Sequence, residues 1–133
     1  MKFLIKITLS ASIAIPLEKR TSSFYPCDIG KNTYRIDLTV TISPYPPIPG
    51  NNVNFFIYEA SYENVFNGSL TTSVSQPAYY TINTIDGDFL NKFNKTITVG
   101  PLPDKLEGGL VLKVTMDNLE LSSTIACVSH TFA

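Results

Sequence analysis

Tyr34-Arg35-Ile36-Asp37-Leu38-Thr39-Val40-Thr41-Ile42-Ser43 sets an aromatic or aliphatic side chain at every second position over ten residues. Neighbouring side chains of a strand point to opposite faces, so the stretch reads as a β-strand. Tyr34, Ile36, Leu38, Val40 and Ile42 form its dry face and the polar residues its wet one. Pro44-Tyr45-Pro46-Pro47-Ile48-Pro49-Gly50 follows at once. Its four prolines each lack an amide donor and hold φ fixed, which makes this a stiff connector and excludes a helix or a central strand.

Outward from that pair the same period returns. Val53 to Tyr58 carries Val53, Phe55 and Ile57 on one side and Phe56 and Tyr58 on the other, the pattern of a central or covered strand. Leu70 to Val74 alternates with Thr and Ser. Tyr79 to Ile85 has Tyr80, Ile82 and Thr84 in one register and ends at the turn pair Asp86-Gly87, and Lys95 to Val99 precedes Gly100-Pro101-Leu102-Pro103. Leu110, Leu112, Val114 and Met116 alternate with Val111, Lys113, Thr115 and Asp117. Asp117-Asn118 then turns the chain into a last strand, Leu121 to Phe132. No segment has an apolar period near 3.6. Seven to eight short strands between Pro, Gly and Asn turns predict an all-β fold, an immunoglobulin-like antiparallel β-sandwich.

Composition narrows the function. The chain has 133 residues, 44% hydrophobic, with fifteen Phe and Tyr, no Trp, one His and two Cys, and a formal charge of −1. One domain of ordinary size fits that length. The charge offers no basic field for nucleic acid, and no apolar run reaches the ~18 residues of a membrane-spanning helix. Residues 1–14, with Lys2, Lys6 and an apolar run to Ala14, read as a short signal peptide. Residues 15–20 read as a propeptide ending at the dibasic Lys19-Arg20, which leaves 21–133 as the working domain. That domain holds six basic and ten acidic side chains, a charge of −4. Asn67-Gly68-Ser69 and Asn94-Lys95-Thr96 are acceptor triplets for N-glycosylation, which in a secreted or lumenal chain needs Asn67 and Asn94 exposed. Cys27 and Cys127 lie near opposite ends, as one disulfide or as two separate buried thiols; an oxidising compartment favours the bridge.

Parts for catalysis are scarce. His130, the single histidine, stands three residues from the C-terminus and reads as an ordinary surface side chain. Asp86-Gly87-Asp88 lacks the longer Asp/Asn spacing of a calcium loop and reads as a turn. Asp37, Glu59, Glu63, Glu107 and Glu120 have no spacing that marks an acid/base pair, and no Gly-rich phosphate cradle occurs. The expectation is a protein that is not an enzyme and takes no cofactor or metal.

Ile42-Ser43-Pro44-Tyr45-Pro46-Pro47-Ile48-Pro49-Gly50-Asn51-Asn52-Val53, preceded by Cys27 and Gly30, resembles the opening of the ML lipid-recognition domain. The likeness continues through Tyr80-Thr81-Ile82, Asp86-Gly87, Leu102-Pro103 and Leu110 to Asp117, and closes on Cys127, covering roughly residues 24 to 132. That family includes the fungal phosphatidylglycerol/phosphatidylinositol transfer proteins, which the Pro-rich connector resembles most, and the lysosomal sterol carrier of Niemann-Pick type C disease. Two further disulfides common in the family are missing. The resemblance implies pairing of Cys27 with Cys127 and an apolar cavity between the sheets holding a phospholipid or a sterol. It makes Ile42, Phe55, Ile57, Tyr80, Ile82, Val99, Leu112 and Val114 the expected cavity walls. It implies a monomer in transient contact with membranes, through Tyr45 and Ile48 on the Pro-rich connector and through Phe89 to Phe93 across from it. The competing expectation is a secreted adhesion or host-interaction module of the same fold with a closed core.

Overall fold

The computed structural model describes residues 24–27, 36–106 and 108–132; the expected signal peptide and dibasic site lie outside them. Eight strands follow in order: β1 (Tyr25–Pro26), β2 (Leu38–Ser43), β3 (Val53–Glu59), β4 (Val65–Gln76), β5 (Tyr79–Phe89), β6 (Asn94–Val99), β7 (Leu110–Asn118) and β8 (Ser123–Phe132). They form a five-stranded sheet, β1-β8-β7-β4-β5, and a three-stranded sheet, β2-β3-β6, with every pairing antiparallel. No helix occurs among the described residues. The chain is all-β, two antiparallel sheets sharing one apolar core, as in a β-sandwich.

The alternation read from sequence carries over into burial. Val40 and Ile42 of β2, Val53, Phe55 and Ile57 of β3, and Ile97 and Val99 of β6 are buried and face Leu70 and Val74 of β4 and Leu110, Leu112, Val114 and Met116 of β7. Large apolar side chains on one face of each sheet leave water only when the two faces meet, which holds the layers together.

Two expected turns are strand instead. β5 runs through Asp86-Gly87 as far as Phe89, because β4 extends opposite it to Val65, past an irregularity between Val65 and Gly68. β7 likewise includes Asp117-Asn118. The reversal comes in the four residues that follow, 119–122, where the Asn118 side chain accepts the amide of Leu121 at 3.0 Å and the Leu119 amide donates to Asn67 O at 2.8 Å.

The disulfide joins Cys27 to Cys127, with Cα atoms 5.4 Å apart. It lies within one sheet, where β1 pairs with the edge of β8 and the Cys27 amide donates to Cys127 O at 3.1 Å. First strand and last strand are thereby tied without a bond between the layers.

Candidate functional site

The sandwich has two ends, and the connections assign each loop to one of them. At the first, the Gly50 amide donates to Pro103 O and the Leu102 amide to Asn51 O, both at 3.0 Å. Tyr79 Oη donates to Pro101 O at 2.8 Å and Gln76 Nε2 to Lys105 O at 3.3 Å. The Pro-rich connector, the 100–106 loop and the β4–β5 turn therefore meet there. At the second end, Glu59 N donates to Phe93 O at 3.0 Å, Asn91 N to Asn64 Oδ1 at 2.7 Å and Ala60 N to Asp37 O at 2.8 Å. This end gathers the loops 60–64, 90–93 and 119–122.

Six of the eight expected wall residues come together between the sheets. Phe55, Ile57, Leu112 and Val114 have no exposed surface, and Ile42 and Val99 expose 4% and 3%. The other two do not join them. Tyr80 and Ile82 lie outside, 64% and 51% exposed, and the register explains why. Val74 points into the core and pairs with Thr81, so Thr81 shares its face and Ile82, opposite Ser73, takes the outer one. The inward residues of this edge strand are polar and close the rim: Asn83 Nδ2 donates to Thr98 O across the sheets at 3.4 Å, and Tyr79 reaches Pro101. Alternation gave the period of β5; the identity of its inner face came from β4.

The expected membrane rims are also rearranged. Tyr45 is half-buried, its ring 5.9 Å from Phe132 and 6.4 Å from His130, so on the Pro-rich connector Ile48 is the large apolar side chain left exposed. Phe89 and Phe93 are buried, with ring centroids 5.2 Å apart, and plug the second end. The Pro-rich connector and the Phe89–Phe93 loop therefore occupy opposite ends. The large apolar side chains exposed on the loops of the second end are Tyr62, Leu90, Leu119 and Leu121. His130 is half-buried rather than a surface histidine, 4.4 Å from Phe132 and 5.8 Å from Phe24 between ring centroids.

One polar residue in the core escapes a search for motifs. Glu59 ends β3 on the parity of Val53, Phe55 and Ile57, and it is fully buried. Its Oε1 accepts the Lys92 amide at 2.8 Å; its Oε2 accepts Ser61 Oγ at 3.2 Å and the Glu63 amide at 3.3 Å. A buried carboxylate persists only where donors replace its water, and here two loops supply them. Lys92 takes φ +59° to present its amide. The signal was in the sequence, in Val53-x-Phe55-x-Ile57-x-Glu59, an acid where the period demands an apolar residue.

Asn67 and Asn94 are both exposed; Asn67 Nδ2 also donates to Glu120 Oε2 at 3.3 Å. Asp88 Oδ1 accepts the Asn67 amide at 3.0 Å, which gives that acid a backbone role. Among the described residues no group of three or more His, Cys, Asp or Glu could hold a metal ion. No protein-family model matches the chain, and a search of curated proteins finds no match.

Proposed function

We propose that the chain is a non-catalytic lipid carrier with an immunoglobulin-like sandwich of ML type, secreted or lumenal. The apolar part of a phospholipid or sterol lies between its sheets and is exchanged with membranes. The observation that carries the reading is the inter-sheet layer. From Val53 and Val99 at one end to Ile57 near the other, the buried inward side chains of the three-stranded sheet are apolar, and they meet Leu70, Val74, Leu112, Val114 and Met116; Lys95, opposite Ile57 on β6, shares that face at its exposed edge. A lipid tail entering there replaces apolar contacts with apolar contacts. Its own removal from water is favourable by ~25 cal/mol per Å². No covalent step is needed.

Because the walls have essentially no exposed surface, entry requires the sheets to part. Exposed Tyr62, Leu90, Leu119 and Leu121 at the second end suit brief contact with a bilayer surface, where aromatic and aliphatic loop tips sit well. The Cys27–Cys127 bridge fits an oxidising compartment.

The test is organic extraction of the protein purified from a secreting eukaryotic host, followed by mass spectrometry and by titration of the purified chain with fluorescent sterol and phospholipid. A lipid at near one per chain supports the carrier. An empty extract together with no uptake of either probe refutes it in favour of the closed-core adhesion module.

A further inference from the structure

β5 closes one side of the five-stranded sheet, eleven residues long, and among the described residues β4 is the only strand that pairs with it. An unpaired edge is a row of free N–H and C=O groups that templates another strand, and folded proteins usually blunt it with brevity, proline or charge. The terminal strands β1, β2 and β6 are blunted in these ways. β1 has two residues, one of them Pro26; β2 has six and stops against Pro44; β6 has six and carries Lys95. Within β5, Tyr79-Tyr80-Thr81-Ile82-Asn83-Thr84-Ile85 contains no charge, no proline and no glycine, and Tyr, Thr and Ile are strong strand formers.

We infer that this edge pairs with the same edge of a second copy of the chain, antiparallel about a two-fold axis through Ile82, so that two five-stranded sheets become one of ten. Such a dimer goes beyond the carrier reading and does not rest on it, and it replaces the monomer that the resemblance to the ML domain implies.

Residues directly opposite in an antiparallel pair share a face, so a two-fold axis between identical strands runs through a residue that meets itself. Ile82 is the centre of the uncharged stretch. About that centre Tyr80 meets Thr84, Thr81 meets Asn83 and Tyr79 meets Ile85. On the outer face Tyr80 and Ile82 are exposed beside the small Ser75 and Ser73 of β4, and the pairing sets Ile82 against its own copy. Ile85 lies opposite the buried Leu70, on the core's parity, yet it is 37% exposed. Tyr79 of the second copy covers it. Seven paired residues also add about six to eight main-chain hydrogen bonds.

Charge fixes the direction. Asp86 and Asp88 both stand at the end of β5 beyond the uncharged stretch. A parallel pairing in register sets each against its own copy, and like charges facing across a ladder destabilise it. The antiparallel pairing leaves the two Asp86 residues about 27 Å apart, eight positions at ~3.4 Å each. It carries each Asp86 past the other copy's β4–β5 turn, which packs against loop 100–106. There Gln76 Nε2 donates to Lys105 O at 3.3 Å, and Lys105 is exposed where Asp86 of the second copy arrives. Asp104, the acid beside that lysine, turns towards the Pro-rich connector, its Oδ1 3.2 Å from where a Cβ on Gly50 would stand.

Sedimentation velocity of the purified chain from about 1 to 200 μM should show a monomer–dimer equilibrium with a dissociation constant on the order of 10 μM, as suits an interface below the standard ~1,200 Å². Ile82→Lys and Ile82→Glu each set two like charges across the axis, so either variant alone should weaken the dimer at least roughly ten-fold. Mixed in equal amounts, the two should form a heterodimer at least as tight as the parent dimer, because position 82 of one copy faces position 82 of the other. Amide exchange within Tyr79–Ile85 should slow as the parent chain is concentrated. If a variant does not fold, that concentration dependence decides alone. A parent chain that stays monomeric throughout the range, association into open-ended aggregates, exchange in Tyr79–Ile85 indifferent to concentration, or mixing that restores nothing overturns the pairing. None of these results touches the carrier reading, which lipid extraction tests separately.

Discussion

Replacing Cys27 and Cys127 by serine should free β1 and lower the stability of the whole sandwich by about 2–4 kcal/mol. The bridge spans 100 residues of sequence, for which the chain-entropy treatment gives an upper value of ~4.7 kcal/mol. Part of that is returned, because β1 has little else to hold it. Its pairing with β8 consists of Tyr25 opposite Ser129 and Pro26 opposite Val128, with one further amide bond from Cys27 and the Phe24–His130 ring contact. At ~1 kcal/mol per hydrogen bond and about 1 for the rings, these offer roughly 3–4 kcal/mol. Ordering four residues costs about 4–8 kcal/mol. Without the covalent tie the balance turns against β1, while β2 to β8 keep their core. Serine is tolerated at position 127 because Thr115 Oγ1, now 3.6 Å from the sulfur, offers its hydroxyl a partner. Urea unfolding of both proteins measures the loss, and hydrogen exchange across Ser123–Phe132 reads the exposed edge of β8. A loss below ~1 kcal/mol with unchanged β8 protection would refute this account of what holds the first strand.

Gly100→Ala should destabilise by about 1–3 kcal/mol in thermal unfolding, since φ is +134° and the added Cβ falls 2.9 Å from Asn52 Oδ1 and 3.1 Å from Asn52 Cα, where backbone cannot yield. Ile82→Ala should stay within ~0.5 kcal/mol of the parent, whereas Phe55→Ala should cost ~3–5 kcal/mol; the same calorimetry distinguishes the two, and equal costs would contradict the register assigned to β5. Hydrogen bonding to Tyr62, then to Tyr58, raises the Lys92 pKa above its ordinary 10.5, so this group adds stability that is complete below that value and is lost as pH climbs through the raised one. Tyr62→Phe should flatten the alkaline limb of the stability profile above pH 10.5, with no change near neutrality.

The alternation in Leu38–Ser43 and Val53–Tyr58 was legible because each strand has one face wholly apolar, and a period of two then names both the strand and its inner side. β5 was legible only as a strand. Tyr80 and Ile82 are larger and more apolar than Thr81 and Asn83, yet they face out, because which side of an edge strand is covered depends on its neighbour. The hairpin ends were misjudged for a related reason: Asp86-Gly87 and Asp117-Asn118 have turn chemistry, but the paired length of β4 keeps both in the ladder. Tyr45 looked free on a stiff connector, and only the return of β8 brings Phe132 and His130 beneath it. Glu59 had a readable position. Its partners, donated by loops that follow it by up to 33 residues, had none.

A closed interior and a lipid site are compatible only under an energetic condition that these residues define. Burying each large apolar side chain is favourable by about 1.5–3 kcal/mol, so parting the sheets with nothing between them would cost more than a typical domain's entire stability of about 5–15 kcal/mol. Separation must therefore be small and must be matched by ligand contacts as it occurs. A thin, rigid, apolar body satisfies this better than two splayed acyl chains, because it demands the least displacement of Phe55, Ile57, Leu112 and Val114 for the area it withdraws from water.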